Sequence, residues 1–152
     1  MTTKTMDCSG FAIFDETGRV LLVHQTYGKK KWCLPGGQQL EGEAAWDTAI
    51  RECKEEINVE IALDEFSLSG IYFLSHRNAY AYIFKVQGWS GNPVPDDAEI
   101  DEIKFFHVDQ LPSPMSNFTV QRIRDAAQFQ GKVFLREQHV SNYVIGDTKN
   151  FE

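Results

Sequence analysis

Long hydrophobic runs are missing from this chain of 152 residues. Apolar runs such as Val20–Val23 and Tyr80–Phe84 are far shorter than the roughly 18 residues that a membrane-spanning helix needs. The first residues, Met1–Met6, also lack the apolar stretch and the small-residue cleavage site of a signal peptide. We therefore expect no membrane segment and a cytoplasmic protein.

Cysteine is scarce, and the few cysteines are not spaced as ligands. Cys8, Cys33 and Cys53 are odd in number and form no C-x-x-C pair, which excludes a disulfide framework and a structural zinc site. The four histidines share no metal-ligand spacing, so we assign them no role. The D-x-[DN]-x-[DN]-G loop of calcium-binding proteins is absent as well, which disfavours calcium buffering.

Positive charge is in short supply, and the net charge is −7. A nucleic-acid binder needs a basic face to displace counterions from phosphates, so we expect no nucleic-acid partner. Glu41–Glu56 holds six acids against two bases, and Asp96–Glu102 holds five acids and no base. These two segments carry more negative charge than the whole chain, so the remainder is slightly basic. Acid runs are usually solvated faces, and only their spacing distinguishes a site.

Length and composition predict one domain over residues 1–152, with 42% hydrophobic and 24% charged residues. Two predicted strands joined at Glu16–Arg19 resemble a β-hairpin. A turn at Pro35-Gly36-Gly37 is expected to end a short strand. Asn117 is placed to cap a second helix. The pattern is typical of an α+β fold in which helices cover a mixed sheet. The predicted strands are Cys8–Phe14, Val20–His24, Trp32–Leu34, Ser67–Leu74, Ala79–Val86, Glu102–Val108 and, in the tail after Gly131, Val140–Ile145; the predicted helices are Ala44–Ile57 and Asn117–Phe129.

The first predicted helix presents two different faces. Its core stripe comprises Trp46, Ala49, Ile50, Cys53 and Ile57. Three glutamates share a second face at i, i+3 and i+4, namely Glu52, Glu55 and Glu56. Like charges at this spacing repel one another, and acids in the last turn oppose the helix dipole. A divalent cation bound by carboxylate oxygens would explain the arrangement, whereas three exposed glutamates alone are also common on a solvated face.

The context of these glutamates resembles the signature of the Nudix hydrolases. That signature is a glycine, five residues, a glutamate, seven residues, and then Arg-Glu-hydrophobic-x-Glu-Glu-x-Gly-hydrophobic. Here it runs from Gly37 through Glu43 to Arg51-Glu52-Cys53-Lys54-Glu55-Glu56-Ile57-Asn58-Val59. Cys53 replaces a larger aliphatic residue, and Asn58 replaces the glycine that closes the helix, although asparagine also tolerates the left-handed conformation.

The resemblance implies the Nudix fold, an α/β/α sandwich with a mixed sheet, and hydrolysis of a nucleoside diphosphate linked to another group. It implies that Glu52, Glu55 and Glu56 hold Mg²⁺ or Mn²⁺ and that Glu55, Glu56 and Arg51 belong to the catalytic group. We expect Arg51 to position a carboxylate such as Glu43, with an ordinary surface ion pair as the alternative.

Two further implications concern residues around the signature. Gly37 would allow the backbone of the preceding loop to approach the helix closely. Relatives often supply one more glutamate, as metal ligand or general base. We favour Glu99 over Glu102 for that role, because Glu102 begins a predicted strand; either acid is equally well explained as a solvated loop residue.

Substrate choice is the least determined feature. Lys31 and Arg77, together with Lys29 and Lys30, are candidates to contact phosphate, and Trp32, Tyr72 or Tyr80 to stack on a base. Asn117 is a candidate base-reading residue and equally a helix cap.

The leading hypothesis is a cytoplasmic, Mg²⁺- or Mn²⁺-dependent pyrophosphohydrolase acting on a nucleoside triphosphate or a nucleotide sugar such as ADP-ribose. The alternative is a non-catalytic Nudix-like domain that senses a nucleotide. We expect a small-molecule nucleotide partner, no nucleic acid and no membrane; a homodimer is left open.

Overall fold

The computed structural model describes residues 4–87, 89 and 91–139. Two sheets and two helices make up this part of the chain. The strands are β1 (Lys4–Ile13), β2 (Val20–Gln25), β3 (Trp32–Cys33), β4 (Gly36–Leu40), β5 (Phe66–Leu74), β6 (Ala79–Val86), β7 (Ile100–Phe106) and β8 (Phe134–Gln138), and the helices are α1 (Ala45–Ile57) and α2 (Asn117–Gln128).

The larger sheet is mixed and has the strand order β4-β1-β6-β5-β8. β1 runs parallel to β6 and antiparallel to β4, and β5 runs antiparallel to β6 and parallel to β8. The smaller sheet is antiparallel, with the order β3-β2-β7. The expected mixed sheet is therefore present, accompanied by a second sheet that the sequence patterns do not separate from it.

The two helices cover opposite faces of the strands. In β1, Phe11 and Ile13 join the core cluster that contains Ala49, Cys53 and Ile57 of α1, whereas Ala12 joins the cluster that contains the buried residues of α2. This alternation follows from the two-residue period of a strand. The result is the expected α/β/α sandwich.

Several local predictions are wrong, each for a physical reason. β1 and β2 are linked by the turn at Asp15–Arg19 but share only the Phe14–Val20 bridge, because β1 pairs with β4 and β6 instead. Pro35-Gly36-Gly37 is not a turn, since both glycines lie in β4 without a positive φ. Trp46 is 47% exposed and lies outside the core.

The second helix is also capped differently from the prediction. Ser116, and not Asn117, is its N-cap, and the Ser116 hydroxyl accepts a hydrogen bond from the Phe118 N–H at 3.1 Å. The predicted strand Val140–Ile145 lies outside the described residues. Neither helix in the described part of the chain is long and apolar enough to cross a membrane.

Candidate active site

Helix α1 places the three signature glutamates at the boundary between core and solvent. Its core stripe of Ala49, Cys53 and Ile57 is fully buried, and Glu56, one residue before Ile57, is only 7% exposed. Glu52 is mostly buried as well, whereas Glu55 is about half exposed. The helix ends at Asn58, whose φ of 59° keeps the left-handed closing turn of the signature, as expected.

Arg51 holds the acids of this face together. Its Nε and Nη2 donate to both carboxylate oxygens of Glu43 at 2.8 and 3.0 Å, and its Nη1 donates to Glu52 and to Glu55 at 2.9 Å each. These bonds from Arg51, with a further one from the Thr48 hydroxyl, lower the pKa of Glu43 to about 2 against the opposing effect of burial. Such fork-shaped contacts fix geometry as well as charge. The expected contact between Arg51 and Glu43 is present.

Glu56 is electrostatically different from Glu43. Its Oε1 accepts a hydrogen bond from the Gly36 N–H at 3.0 Å. Burial nevertheless raises the pKa of Glu56 to about 9, and the negative charges of Glu52, Glu99 and Asp96 add to the rise. Burial also raises the pKa of Glu52, although Arg51 opposes it. Burial and the neighbouring acids thus disfavour the ionised form of Glu52 and of Glu56. A divalent cation bound beside them would favour that form.

The two glycines of β4 allow the strand to lie against α1 and β1. A Cβ at Gly37 would stand 2.5–2.8 Å from the carboxylate of Glu52, and a Cβ at Gly36 would collide with the backbone of Ser9 and Gly10. The close approach, and not an unusual turn, is what requires glycine here. The backbone that approaches α1 belongs to a strand, and not to the loop that the sequence suggested.

Glu99 lies on the loop before β7, where its charge acts on the signature acids. Asp96 shapes this loop by accepting hydrogen bonds from the backbone N–H groups of Ala98, Glu99 and Ile100. Thr26 N–H donates to the Glu99 carbonyl at 2.9 Å. The charge of Glu99 contributes to the raised pKa of both Glu52 and Glu56. Glu102 instead lies within β7, opposite His24 of β2.

The donor chemistry of this face fits a hard divalent cation, because all its ligands would be carboxylate oxygens. Among the described residues, however, no group of three acid, histidine or cysteine side chains already stands in ligating geometry. Arg51 occupies the space between Glu52 and Glu55 through its hydrogen bonds to both. A cation at this face therefore requires these carboxylates to reorient toward Glu56.

Next to the acidic face lies a cavity of about 460 Å³, a size typical of ligand sites. Gly36 and Gly37 line this cavity. Gly36 also donates its N–H to Glu56, and Gly37 lies against the carboxylate of Glu52. The predicted phosphate contacts Lys31 and Arg77 both line this cavity, as does Trp32. Asn117 is not among its lining residues, whereas Ser116 and Thr119 on either side are.

Two other candidates for base stacking are placed elsewhere. Tyr72 is fully buried, and its hydroxyl donates to Asp125 at 2.8 Å, so stacking of Tyr72 on a base was a wrong expectation. Tyr80 stacks on Tyr82 and packs at a tilt against Phe73 on the large sheet, and it does not line the cavity.

Tyr27 and Arg122 are among the cavity residues that sequence reasoning missed. Tyr27 lines the cavity and is about half exposed. Burial together with the negative charges of Cys33, Glu56, Glu99 and Glu52 raises the pKa of its phenol to about 12. Arg122 is 5% exposed among the apolar residues of α2. An arginine on the apolar face of an amphipathic helix was the available signal for it.

Comparison with known proteins decides the family. The family model described as the NUDIX domain matches residues 4–126, which is more than half of the chain. The chain belongs to the Nudix family. Its fold agrees with that of a crystal structure of a NUDIX hydrolase from Nitrosomonas europaea, with a TM-score of 0.74 and 20% identity over 90% of this chain and 80% of that one.

Two curated relatives of this Nudix chain match over shorter segments. The protein named MutT4 of Mycobacterium tuberculosis is 27% identical over 106 residues, which is 66% of this chain and 42% of the relative. The NAD-capped RNA hydrolase NudC of Pseudomonas syringae is 33% identical over 81 residues, which is 53% of this chain and 28% of the relative. The matched segments thus span less than half the length of either relative.

Proposed function

We propose that this Nudix protein is a pyrophosphohydrolase that uses Mg²⁺ or Mn²⁺ to hydrolyse a nucleoside diphosphate linked to another group. The substrate class is a nucleoside triphosphate or a nucleotide sugar such as ADP-ribose. The observation that carries the proposal is Glu56, whose pKa is raised by burial and further by neighbouring acids, on a face that lies beside a cavity. Perturbed acids beside a cavity are typical of catalytic sites.

Four glutamates are the proposed metal ligands: Glu52, Glu55, Glu56 and Glu99. A bound Mg²⁺ or Mn²⁺ would neutralise the diphosphate charge and make a water molecule more acidic. Glu43 holds the Arg51 guanidinium in place, and Arg51 in turn orients Glu52 and Glu55. Without Arg51, the repulsion among the acids on this helix face would not be offset.

The chain's own groups can then carry out the hydrolysis. A water molecule attacks one phosphorus, the bridging P–O bond breaks, and the proton of the water passes to a carboxylate. Glu55 and Glu56 are the proposed bases, with Glu99 as the further acid from outside the signature. Burial raises the proton affinity of Glu56 in the metal-free protein, and a bound divalent cation would keep this carboxyl in the ionised form that a base requires.

Lys31 and Arg77 are the proposed substrate contacts, since both line the cavity next to Gly36 and Gly37. Asn117 remains a candidate only through a change of side-chain position, because Ser116 and Thr119 line the cavity in its place. We further propose one domain over residues 1–152, a cytoplasmic location in which the three free thiols stay reduced, and no nucleic-acid partner. A homodimer is compatible with this proposal and is not required by it.

A product screen tests the function. Nucleoside triphosphates, ADP-ribose, sugar nucleotides and dinucleoside polyphosphates are incubated with the protein and Mg²⁺ or Mn²⁺, and phosphate products are measured. We expect turnover of at least one class, lost in chelator and lost in Glu56→Gln. Binding without turnover of any class would replace the hydrolase proposal by the nucleotide-sensing domain.

A further inference from the structure

The charged residues that line the cavity beside the acidic face are all cations among the described residues, although the chain as a whole is acidic. Its charged lining residues among the described part of the chain are Lys29, Lys31, Arg77 and Arg122, and no Asp or Glu lines it there. The net charge of the chain is −7. Positive charge concentrated in a concave site raises the local concentration of anionic ligands. The cavity is therefore suited to an anion, and the acidic face to a cation.

Arg122 lies on the side of the cavity that α2 forms, away from α1. Its guanidinium is 5.5 Å from the centre of the Tyr72 ring and 5.9 Å from that of Phe118, and both rings belong to the core cluster on the α2 side. Its Nε donates to Gln138 at 3.1 Å. These contacts fix a buried guanidinium at a defined place, which costs little further ordering when a ligand binds.

The same cavity also has a wall suited to a nucleoside. Trp32 lines it, and Phe106 and His24 pack against the indole at centroid distances of 5.1 and 4.9 Å. An indole held in this way offers a fixed surface for stacking. Ser116 and Thr119, at the start of α2, add polar groups to the cavity lining.

The position of the cations indicates that the cavity binds an anionic group in addition to the diphosphate that is cleaved. Gly36 and Gly37 separate the cavity from Glu52 and Glu56, so a diphosphate at these acids lies at one end of the cavity. Arg122 lies instead on α2 and lines the same cavity as Trp32.

We propose that the cavity binds a nucleoside whose ribose carries a phosphomonoester in addition to the diphosphate, with Arg122 and Arg77 as the residues that recognise this extra phosphate. The inference rests on the proposed function in taking the ligand to be a nucleotide. A guanidinium binds phosphate through two parallel hydrogen bonds, whereas a ribose hydroxyl offers it one weak acceptor.

Matched ligand pairs test the inference. NADPH and NADH differ by a phosphate on the ribose 2′ oxygen, and coenzyme A and dephospho-coenzyme A by one on the 3′ oxygen. Affinities are measured by titration calorimetry in chelator, and kcat/KM is measured with Mg²⁺. We expect the phosphorylated member of at least one pair to bind about tenfold tighter or more, because a charge-assisted bidentate contact replaces a neutral one.

Variants of the cavity assign the preference to residues. Arg77→Gln and Arg122→Gln should each reduce the affinity ratio of the favoured pair, and Arg122→Lys should retain part of it. Arg124→Gln is the matched control, since Arg124 lies on the same helix but is exposed and does not line the cavity. If Arg122→Gln does not fold, Arg77→Gln still decides the outcome.

The outcomes separate this inference from the proposed function. Equal affinity and equal kcat/KM within both pairs would overturn the inference while leaving the hydrolase intact. A preference that persists unchanged in Arg77→Gln and Arg122→Gln would overturn the assignment to these residues. A preference in binding without any turnover would support the inference and contradict the hydrolase.

Discussion

Replacing Glu56 by glutamine separates a metal ligand from a structural acid. Glutamine keeps the shape and can accept the Gly36 N–H bond of 3.0 Å through its amide oxygen. With a pKa of about 9, Glu56 is a neutral carboxyl at pH 7 in the metal-free protein. The amide therefore replaces a neutral group of similar size in the folded protein. In chelator the variant should melt at the wild-type temperature at pH 4.5 and above it at pH 7, where the wild-type carboxyl is ionised only in the unfolded chain.

The pH dependence of this comparison has a definite sign. The folded-state pKa of Glu56 lies above its value of 4.5 in the unfolded chain. The contribution of the protonated Glu56 carboxyl to the free energy of unfolding is therefore fully present below pH 4.5. It is lost as pH rises toward 9, at up to about 1.4 kcal/mol for each pH unit. Without metal, the stability advantage of Glu56→Gln over wild type should therefore grow as the pH is raised from 4.5 toward 9.

Divalent cation should act in the opposite direction, because it stabilises wild type and not the variant. A ligand at a hundredfold excess over its dissociation constant stabilises the folded state by about 2.7 kcal/mol. For a domain of this size that corresponds to a rise in Tm of about 5–10 °C. Wild type should show the rise with Mg²⁺ or Mn²⁺, and Glu56→Gln should show little or none of it.

Differential scanning calorimetry in chelator and in excess metal measures both effects. Glu60→Gln is the control, because Glu60 is highly exposed, pairs with Lys54 and lies outside the site; its metal shift should equal that of wild type. A Glu56→Gln protein that melts far below wild type in chelator would make Glu56 structural. One that keeps the full metal shift would remove Glu56 from the ligands.

Three further predictions follow from the same geometry. Glu99→Gln should lower the metal-dependent rate at least tenfold in steady-state assays, whereas Glu102→Gln should leave it unchanged, because only Glu99 precedes β7 and acts on the signature acids. Gly36→Ala should lower stability in urea titrations more than Gly37→Ala, since its Cβ meets backbone and not the end of a side chain. The pKa of Glu43 is lowered to about 2, so its ion pair stabilises wild type above pH 4.5 and the advantage over Glu43→Gln should disappear as pH falls toward 2.

The helix that carries the acids was predictable because two independent patterns coincide on it. Its apolar stripe gives the core face, and the spacing of Glu52, Glu55 and Glu56 gives the other face. The resemblance to the Nudix signature then gave the family, which the match over residues 4–126 confirms. Local sequence was sufficient here since all the relevant contacts lie within a few turns of one helix.

Strand pairing was not predictable in the same way. β1 and β2 are separated by a short turn, yet the chain places them in different sheets, because β1 finds partners in β4 and β6 much further along the sequence. Gly36 and Gly37 were predicted as a turn because a glycine pair is typical of one. Glycine is required here by the close approach of Ser9 and Glu52, which are distant in sequence, so no local pattern shows it.

The electrostatic balance of the site also needed the structure. Sequence spacing predicts that the three glutamates destabilise their helix without metal. Arg51, however, bonds to Glu52 and Glu55 as well as to Glu43, so part of that repulsion is already offset. The destabilising acid is therefore Glu56, which Arg51 does not contact through any hydrogen bond recorded among the described residues.

Hydrolysis in water enriched in oxygen-18 tests the central claim most directly. If the acidic face of α1 activates water for attack on a phosphorus of the substrate diphosphate, mass spectrometry will find one heavy oxygen in a phosphate-containing product, at the attacked phosphorus. The label should appear only with Mg²⁺ or Mn²⁺ present, and its rate of appearance should fall by orders of magnitude in Glu56→Gln. Cleavage with label in neither product, or unchanged labelling in that variant, would contradict the account.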